Sequence, residues 1–265
     1  MLGSQGAFLT LLLVALSACA PAQLVRQSWT PQGGPENALL LAQSGLSAFD
    51  DLTAEARITF RQGRSRRTAT ASILYLKPDL FRVDVRGPLY SHLLSLLLRD
   101  SHVTALAGKE TWQGEDTGGL LSSLTPFELG DYDLRYALLG LVWPGADDAA
   151  AGREGPALGI SNISYPRADR AIVQLVGGQG ERLVWIDLQT GFVLREQLRS
   201  RGRTVWTREL GGYVELQTAS GPVYLPENIR FEQGDVGIEL EYKYYRVDEG
   251  LSAKILEAGI PEPWQ

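Results

Sequence analysis

Along most of this chain apolar and polar residues alternate with a period of two. In "EARITFR", Ala56, Ile58 and Phe60 are set against Glu55, Arg57, Thr59 and Arg61. In "LFRVDVR", Phe81, Val83 and Val85 are set against Arg82, Asp84 and Arg86. Near the C-terminus, "VGIELEYKYY" places Val236, Ile238, Leu240, Tyr242 and Tyr244 against Glu239, Glu241 and Lys243. Such alternation gives each strand one dry and one wet face, the signature of antiparallel sheet. Further strands are predicted over 68–77, 91–98, 102–107, 171–177, 182–188, 192–199, 203–209, 213–217 and 223–233. Short punctuators separate them: Gly63, Asp100-Ser101, Gly177–Gly180, Gln189–Gly191 and Ser200–Arg203. Gaps of that size make hairpins, so the chain meanders.

The period changes in three places. After Pro35, the residues Leu39, Ala42, Leu46 and Phe49 share one face at helical spacing, with Gly45 as a weak point. From Gly118 to Val142 the pattern is helical in two pieces, Leu120, Leu121 and Leu124, then Leu134, Ala137, Leu138 and Leu141. Asp131 or Asp133 caps the second piece and Pro144 ends the segment, leaving Pro144–Pro156 as an exposed loop. A last short helix is expected from Ser252 to Ala258, before Gly259 and Pro261. The fold class is therefore α+β, mainly antiparallel β. About ten strands with one dry face each curl into an open, strongly curved barrel, plugged by a few apolar helices. Neither half has enough strands to close alone, so residues 36–265 read as one domain. An apolar cavity between sheet and helices fits this arrangement.

The N-terminus adds an address. Ala7 to Ala15 form an apolar run followed by "LSAC", Leu16–Cys19, which reads as a secretory signal over residues 1–18. Leu-Ser-Ala-Cys is similar to the lipobox of bacterial lipoproteins, and that resemblance implies a lipidated Cys19 after cleavage. More than one acyl chain anchors a protein stably where a single chain does not. Cys19 is the only cysteine of the chain, so no internal disulfide forms. The n-region "MLGSQG" lacks Lys and Arg. Ala20 in place of Asp after the cysteine favours the outer membrane over the inner. Pro, Gln, Gly and Ser then dominate up to Pro35, which makes residues 19–35 a flexible tether.

The net charge of −6 argues against nucleic acid, which needs concentrated Lys and Arg. One basic cluster, Arg64, Arg66 and Arg67, sits where a hairpin tip is expected. Catalytic groups are sparse. His92 and His102 are the two histidines, and with one cysteine no third or fourth His or Cys ligand is left for zinc. There is no G-x-S-x-G elbow and no Walker loop. The carboxylate pairs Asp50-Asp51 and Asp147-Asp148 fall at a helix end and in a loop, where solvation accounts for them. Neither an enzyme nor a cofactor is expected.

The stretch "PDLFRVDVRGPLYSHLLSLLLRDSHVTALAGKETWQGED" and the helical "LLSSLTPFELGDYDLRYALLGL" resemble the outer-membrane lipoprotein receptor LolB and its periplasmic relative LolA. The tail "YLPENIRFEQGDVGIELEYKYYRV" is similar to the closing hairpin of that family. The resemblance spans about 36–247. It implies an open curved barrel with a helical plug, and a noncovalent activity: acyl chains of lipoproteins enter an apolar cavity and pass to the outer membrane. A periplasmic LolA-like carrier is the implied partner. It also implies that the Pro-Leu loop contacts membrane, here Pro88, Leu89 and Tyr90, with Tyr90 where the family has glycine. Candidate cavity-lining residues are Ile58, Phe60, Phe81, Val83, Leu94, Leu96, Leu98, Leu138, Ile238 and Leu240. The apolar stretch "GPLYSHLLSLLL" then divides into a loop tip at Leu89 and Tyr90 and a strand from Leu93 to Leu98. A second reading keeps the fold and fills its cavity with aromatic side chains, giving a non-catalytic scaffold lipoprotein that binds a protein partner. Six Trp and ten Tyr keep that reading open.

Overall fold

The structure is a computed structural model that describes residues 34–100, 102–115, 133–145, 159–177 and 180–259, without the side chains of Tyr90 and Glu115. The lipobox, the tether and the leucines at 120–124 lie outside the described residues, as do residues 146–158.

One antiparallel sheet of 13 strands carries the fold. Its first meander runs through β1 (Asp51–Gln62), β2 (Ser65–Leu76), β3 (Leu80–Arg86), β4 (His92–Arg99), β5 (His102–Ala107) and β6 (Glu110–Glu115). The second runs through β7 (Gly159–Arg167), β8 (Arg170–Gly177), β9 (Gly180–Asp187), β10 (Val193–Ser200), β11 (Arg203–Thr218), β12 (Gly221–Gln233) and β13 (Val236–Val247). The two are joined by the pairing of β1 with β13, so the first and last strands lie at the centre, and β6 and β7 are the outermost of the described strands. The sheet is open and curved, with few helices.

The alternation read in the sequence sets the inner face. Rows of opposed residues cross it: Phe60 against Ile238 and Ile238 against Phe231; Ile58 against Leu240 and Leu240 against Ile229; Val83 against Leu96 and Leu96 against Ala105. Helices α1 (Gly34–Ser44) and α2 (Leu134–Leu139) pack on this face, and Ala38, Leu39, Leu134 and Leu139 join the same core cluster as Phe81, Leu98 and Leu240. The outer face carries a smaller cluster in which Leu80 and Leu97 meet Leu256 of α3 (Ala253–Glu257).

Several expectations are refined. Helix α1 runs to Ser44 and continues as a tighter turn over Gly45–Ala48. Gly45 is required by packing: a Cβ there would stand 2.4 Å from Leu141 Cδ2. The stretches 203–209 and 213–217 form one strand, β11, that passes through Gly211 and Gly212. Helix α2 is capped by Asp133, whose carboxylate accepts from the Arg135 backbone N–H, and it ends at Gly140 in the left-handed region (φ 71°). Glycine carries no steric penalty in that conformation. Solvation does not account for Asp51. It is 4% exposed and accepts backbone N–H bonds from Glu249 (3.2 Å), Gly250 (2.8 Å) and Leu251 (3.1 Å), pinning the C-terminal segment to β1.

Candidate functional site

Three features of the described residues have the geometry of function or of its support. The first is the loop between β3 and β4. Gly87 N–H donates to Ser91 O (2.8 Å), and Ser91 donates from its N–H (3.3 Å) and its Oγ (3.0 Å) to Pro88 O, so the base is tied. The turn falls at Gly87 and Pro88, and its unusual backbone angle belongs to the residue after them. Gly87 has an ordinary φ of −81°, and it is Leu89 that sits in the left-handed region at φ 57°, ψ 30°. Gly87 is needed for room instead, because a Cβ would stand 2.8 Å from Ser91 Oγ. A branched, apolar residue held left-handed costs roughly 1–2 kcal/mol. Leu89 is 98% exposed, and the neighbouring Leu93 is 47% exposed. Water selects against that combination unless something else uses it.

The second feature is the inner face. Phe81, Val83, Leu96, Leu98 and Leu240 are buried in the main core, while Ile58, Phe60, Leu138 and Ile238 are half-buried against it. Leu94 is half-buried and lies opposite Val85. All ten candidate residues are thus apolar and placed on or against the sheet, but they do not line the open cleft described next. That cleft has a volume of about 350 Å³ and lies between α1, the Gly45–Ala48 turn and the ends of β10, β11 and β12. Its wall is aromatic: Phe192 stacks on Tyr213 (centroids 4.3 Å apart) and tilts against Tyr224 (5.2 Å). An apolar cavity between sheet and helices was expected, but not these residues, because they come from several elements that are distant along the chain. Its mouth and the Leu89 loop lie at opposite ends of the strands, since β3 rises from Leu80 to Arg86 before the loop and β12 starts at Gly221 beside the cleft.

The third feature is a buried ionic clamp. Glu196 and Arg208 are fully buried and joined at 2.5 Å, and Arg182, 5% exposed, lies 3.5 Å from the other Glu196 oxygen. Arg208 donates to the carbonyls of Tyr136 (2.9 Å), Ala137 (3.3 Å) and Leu141 (2.7 Å), and Arg182 to Trp143 O (2.8 Å). Those carbonyls belong to the C-terminal end of α2 and the segment after it, where helix carbonyls favour cations. At the other end Arg135 binds Asp133 and reaches Asp79 (3.2 Å). Burial works against its charge, but the bonds and charge of Asp133 outweigh it and push its pKa up. A six-residue helix is not stable alone. Paired charges at both ends fix it on the sheet.

The histidines do different work from one another. His102 is exposed at the start of β5, whereas His92 Nε2 lies 2.8 Å from Ser95 Oγ, which donates to Asp84. Arg82 binds Asp84 and donates to Leu256 O (2.8 Å) and Ala258 O (2.7 Å). Because the serine proton points at the carboxylate, the imidazole is not placed to abstract it, as a serine nucleophile requires. The chain of bonds fastens α3 to the outer face.

No family model matches the sequence, and no curated protein matches it. Solved structures are similar in fold. A DUF1329 family protein from Desulfovibrio piger superposes with a TM-score of 0.57 at 13% identity, over 86% of this chain and 98% of that one. A LolA superfamily protein from Nitrosomonas europaea gives 0.54 at 11% identity, over 84% and 96%. An outer membrane lipoprotein-sorting protein domain from Vibrio parahaemolyticus gives 0.56 at 12%, over 84% and 97%. These superpositions cover most of this chain and nearly all of each other chain, so the chain has the LolA/LolB-like fold, an open, strongly curved antiparallel sheet with a small helical part.

Proposed function

We propose that this chain is a lipid-anchored envelope protein that takes up acyl chains of lipoproteins in its apolar interior and delivers them to the outer membrane. The fold supports this reading, since two of its structural neighbours are a LolA superfamily protein and a lipoprotein-sorting domain. The observation that carries it is Leu89: strained, 98% exposed and apolar on a loop whose base is tied by hydrogen bonds. Pro88 and Tyr90 flank it as the membrane-contact loop. Residues 1–18 would be removed as a signal, Cys19 would carry the lipid, and 19–35 would tether a single domain of residues 36–265. The half-buried Ile58, Phe60, Leu94, Leu138 and Ile238, with the buried Phe81, Val83, Leu96, Leu98 and Leu240, would form the apolar lining. A LolA-like carrier is the partner that fits this role. No catalytic step is assigned.

The test is a pair of substitutions. A leucine leaving water contributes roughly 1.5–3 kcal/mol, enough to orient a tethered protein though not to anchor it. Leu89→Glu is expected to weaken binding of the soluble domain to liposomes by about tenfold or more while leaving its melting temperature unchanged. Leu89→Gly relieves the left-handed strain, so it should keep stability or raise it by up to about 1 kcal/mol, with the same loss of liposome contact. A sharp fall in melting temperature for Leu89→Glu would mean that the residue serves packing, and the membrane role would be lost. Separately, Cys19→Ser is expected to abolish lipid labelling and release the protein from salt-washed membranes. Retention there would exclude Cys19 as the anchor.

A second reading has its own support. Phe81, Leu98, Val103 and Ala105 are at most 2% exposed, so this part of the inner face is filled by side chains, as a scaffold protein would have it. Mass spectrometry of protein purified in mild detergent separates the two: co-purified lipid or lipoprotein favours uptake, and a protein partner without lipid favours the scaffold.

A further inference from the structure

We propose that the strand ends around Leu89 form a basic rim that docks on anionic phospholipid headgroups, so that headgroup charge decides how tightly the protein meets a bilayer. This deepens the membrane-contact reading and rests on it, but it names other residues and a lipid class.

The topology collects the rim. The Leu89 loop, the β1–β2 tip over 61–67, the β5–β6 tip at Gly108-Lys109, the β12–β13 tip at Gly234-Asp235 and the β10–β11 tip over 199–203 lie at one end of the strands. Gln62 lies opposite both Ser65 and Val236, so the β1–β2 and β12–β13 tips stand side by side. On its other flank β2 overhangs β3: Thr70 lies opposite Arg86, the last residue of β3, and residues 65–69 continue past it. The arginine-rich tip thus projects beside the Leu89 loop.

Charge sets the partner. The chain has a net charge of −6, so carboxylates are in excess and a cation has partners to choose from. On the central strands the pairs form: Arg57 lies 3.5 Å from Glu241, and Lys243 lies 2.6 Å from Glu55. At the rim Arg64, Arg67, Arg86, Lys109, Arg201 and Arg203 are exposed and stand in no ion pair among the described residues. Of the acids there, Glu232 is held by Arg61 (2.9 Å) and Arg230 (2.7 Å), and Glu181 lies 3.9 Å from Arg199. Glu110 and Asp235 are fewer than the cations they would offset. At the opposite end Lys77, Arg99 and Arg167 each pair with a carboxylate, and Arg170 lies opposite Asp187.

The backbone marks the same rim. Among the described residues, those other than glycine in the left-handed region are Leu89 (φ 57°), Asp100 (52°), Arg201 (50°) and Asp248 (57°). Aspartate bonds locally in that conformation, whereas leucine and arginine gain nothing from it. Both aspartates lie at the far end of the strands, and Leu89 and Arg201 lie on the rim. Arg201 and Gly202 (φ 74°) make a two-residue hairpin turn, where Asn-Gly is the favoured pair. At a bilayer surface, apolar insertion and attraction to anionic lipid add together. A basic side chain near such a surface raises partitioning about fivefold. A protein groove would have no use for the unpaired cations, and a free phosphate would have none for the leucine.

The experiment is vesicle flotation of the chain from residue 19 onward carrying Cys19→Ser, so that no acyl anchor contributes. Vesicles of phosphatidylcholine alone are compared with vesicles in which about a third of the lipid is phosphatidylglycerol or phosphatidylserine. At 0.1 M salt both anionic mixtures are expected to bind at least about tenfold more tightly, within about threefold of each other. At 1 M salt, where the screening length falls to about 3 Å, the gain should vanish. Arg64→Gln with Arg67→Gln should weaken binding to anionic vesicles about tenfold and leave phosphatidylcholine binding unchanged. Arg201→Asn with Arg203→Gln, on a separate hairpin, should do the same, and asparagine suits the left-handed turn, so this pair carries the test if the first misfolds. No gain from anionic lipid, or a gain that both folded double variants keep, would overturn the rim. So would a strong preference for one anionic headgroup at equal charge. Leu89→Gly on phosphatidylcholine vesicles reports on the broader reading: a loss of contact there beside an absent charge effect would remove the rim alone.

Discussion

Replacing Glu196 with alanine is expected to destabilise the protein by roughly 3–5 kcal/mol, the usual cost of removing one partner from a buried ion pair. Among the described residues, Glu196 is the acidic side chain between Arg208 at 2.5 Å and Arg182 at 3.5 Å, and all three are buried. Without it two guanidinium groups remain in the core, facing each other and the carbonyls of the α2 end. Glu196→Gln keeps an acceptor for Arg208 but not the charge, and should cost less than the alanine. Replacing the whole triad with apolar residues is often neutral or stabilising in other proteins. Here it should not be, because Arg208 also donates to Leu141 O and Arg182 to Trp143 O. Each such hydrogen bond contributes about 0.5–1.5 kcal/mol. Urea unfolding of Glu196→Ala, Glu196→Gln and the apolar triple would rank them. A triple variant as stable as wild type would show that the clamp does not hold α2 through its carbonyls.

How far this was legible depends on which face a residue serves. Strands β1, β3 and β13 each have one wet and one dry face, and their alternation predicted β3 at its observed bounds, β13 to within two residues and the central part of β1. Strand β7 was not predicted because it is an edge strand exposed along nearly its whole length, so "GISNISYPR" has no dry face to write into its sequence. Strand β6, at the other edge, mixes Glu110, Thr111, Trp112 and Gln113 and gave no period either. Inside the sheet the signal for the clamp was present. Trp206 and Leu210 fix the inward parity of β11, and Arg208 stands between them; Leu198 does the same for Glu196 on β10. A charge at an inward position of each of two neighbouring strands is readable as a buried pair, given only their antiparallel pairing. The cleft is not readable in that way. It needs the stacking of Phe192 on Tyr213 and the placement of α1 over both, which no local pattern encodes. For the Leu89 loop, the sequence placed Leu89 and Tyr90 at a tip, but the left-handed angle at the leucine goes with the bonds between Pro88 and Ser91.

Alkaline pH is expected to unfold the protein steeply, through three buried tyrosines. Tyr213 donates its hydroxyl to Val193 O (2.6 Å), Tyr245 to Pro226 O (2.6 Å) and Tyr242 to Leu138 O on α2. Tyr242 and Tyr245 stack on each other at 4.5 Å. Burial raises all three pKa values above the ordinary tyrosine range, and for Tyr245 the neighbouring Tyr242 adds to it. In the unfolded chain each ionises near pH 10. Below that pH the hydroxyls are neutral in both states, and the stability they support is complete. As pH rises past 10 the unfolded chain releases protons that the folded one keeps, so stability is lost towards the raised folded values. Each group contributes about 1.4 kcal/mol per pH unit in that window, or ~4 kcal/mol per unit for the three together. Against a typical total of about 5–15 kcal/mol, unfolding should set in within a few pH units above 10. Tyr242→Phe separates this from general alkaline damage. At pH 8 it should cost roughly 1 kcal/mol through the lost bond to Leu138 O, while above pH 10 it should reduce the slope of stability against pH by about a third. A slope unchanged in Tyr242→Phe would mean that Tyr242 ionises freely in the folded protein, and that α2 is not seated on it as the bond to Leu138 requires.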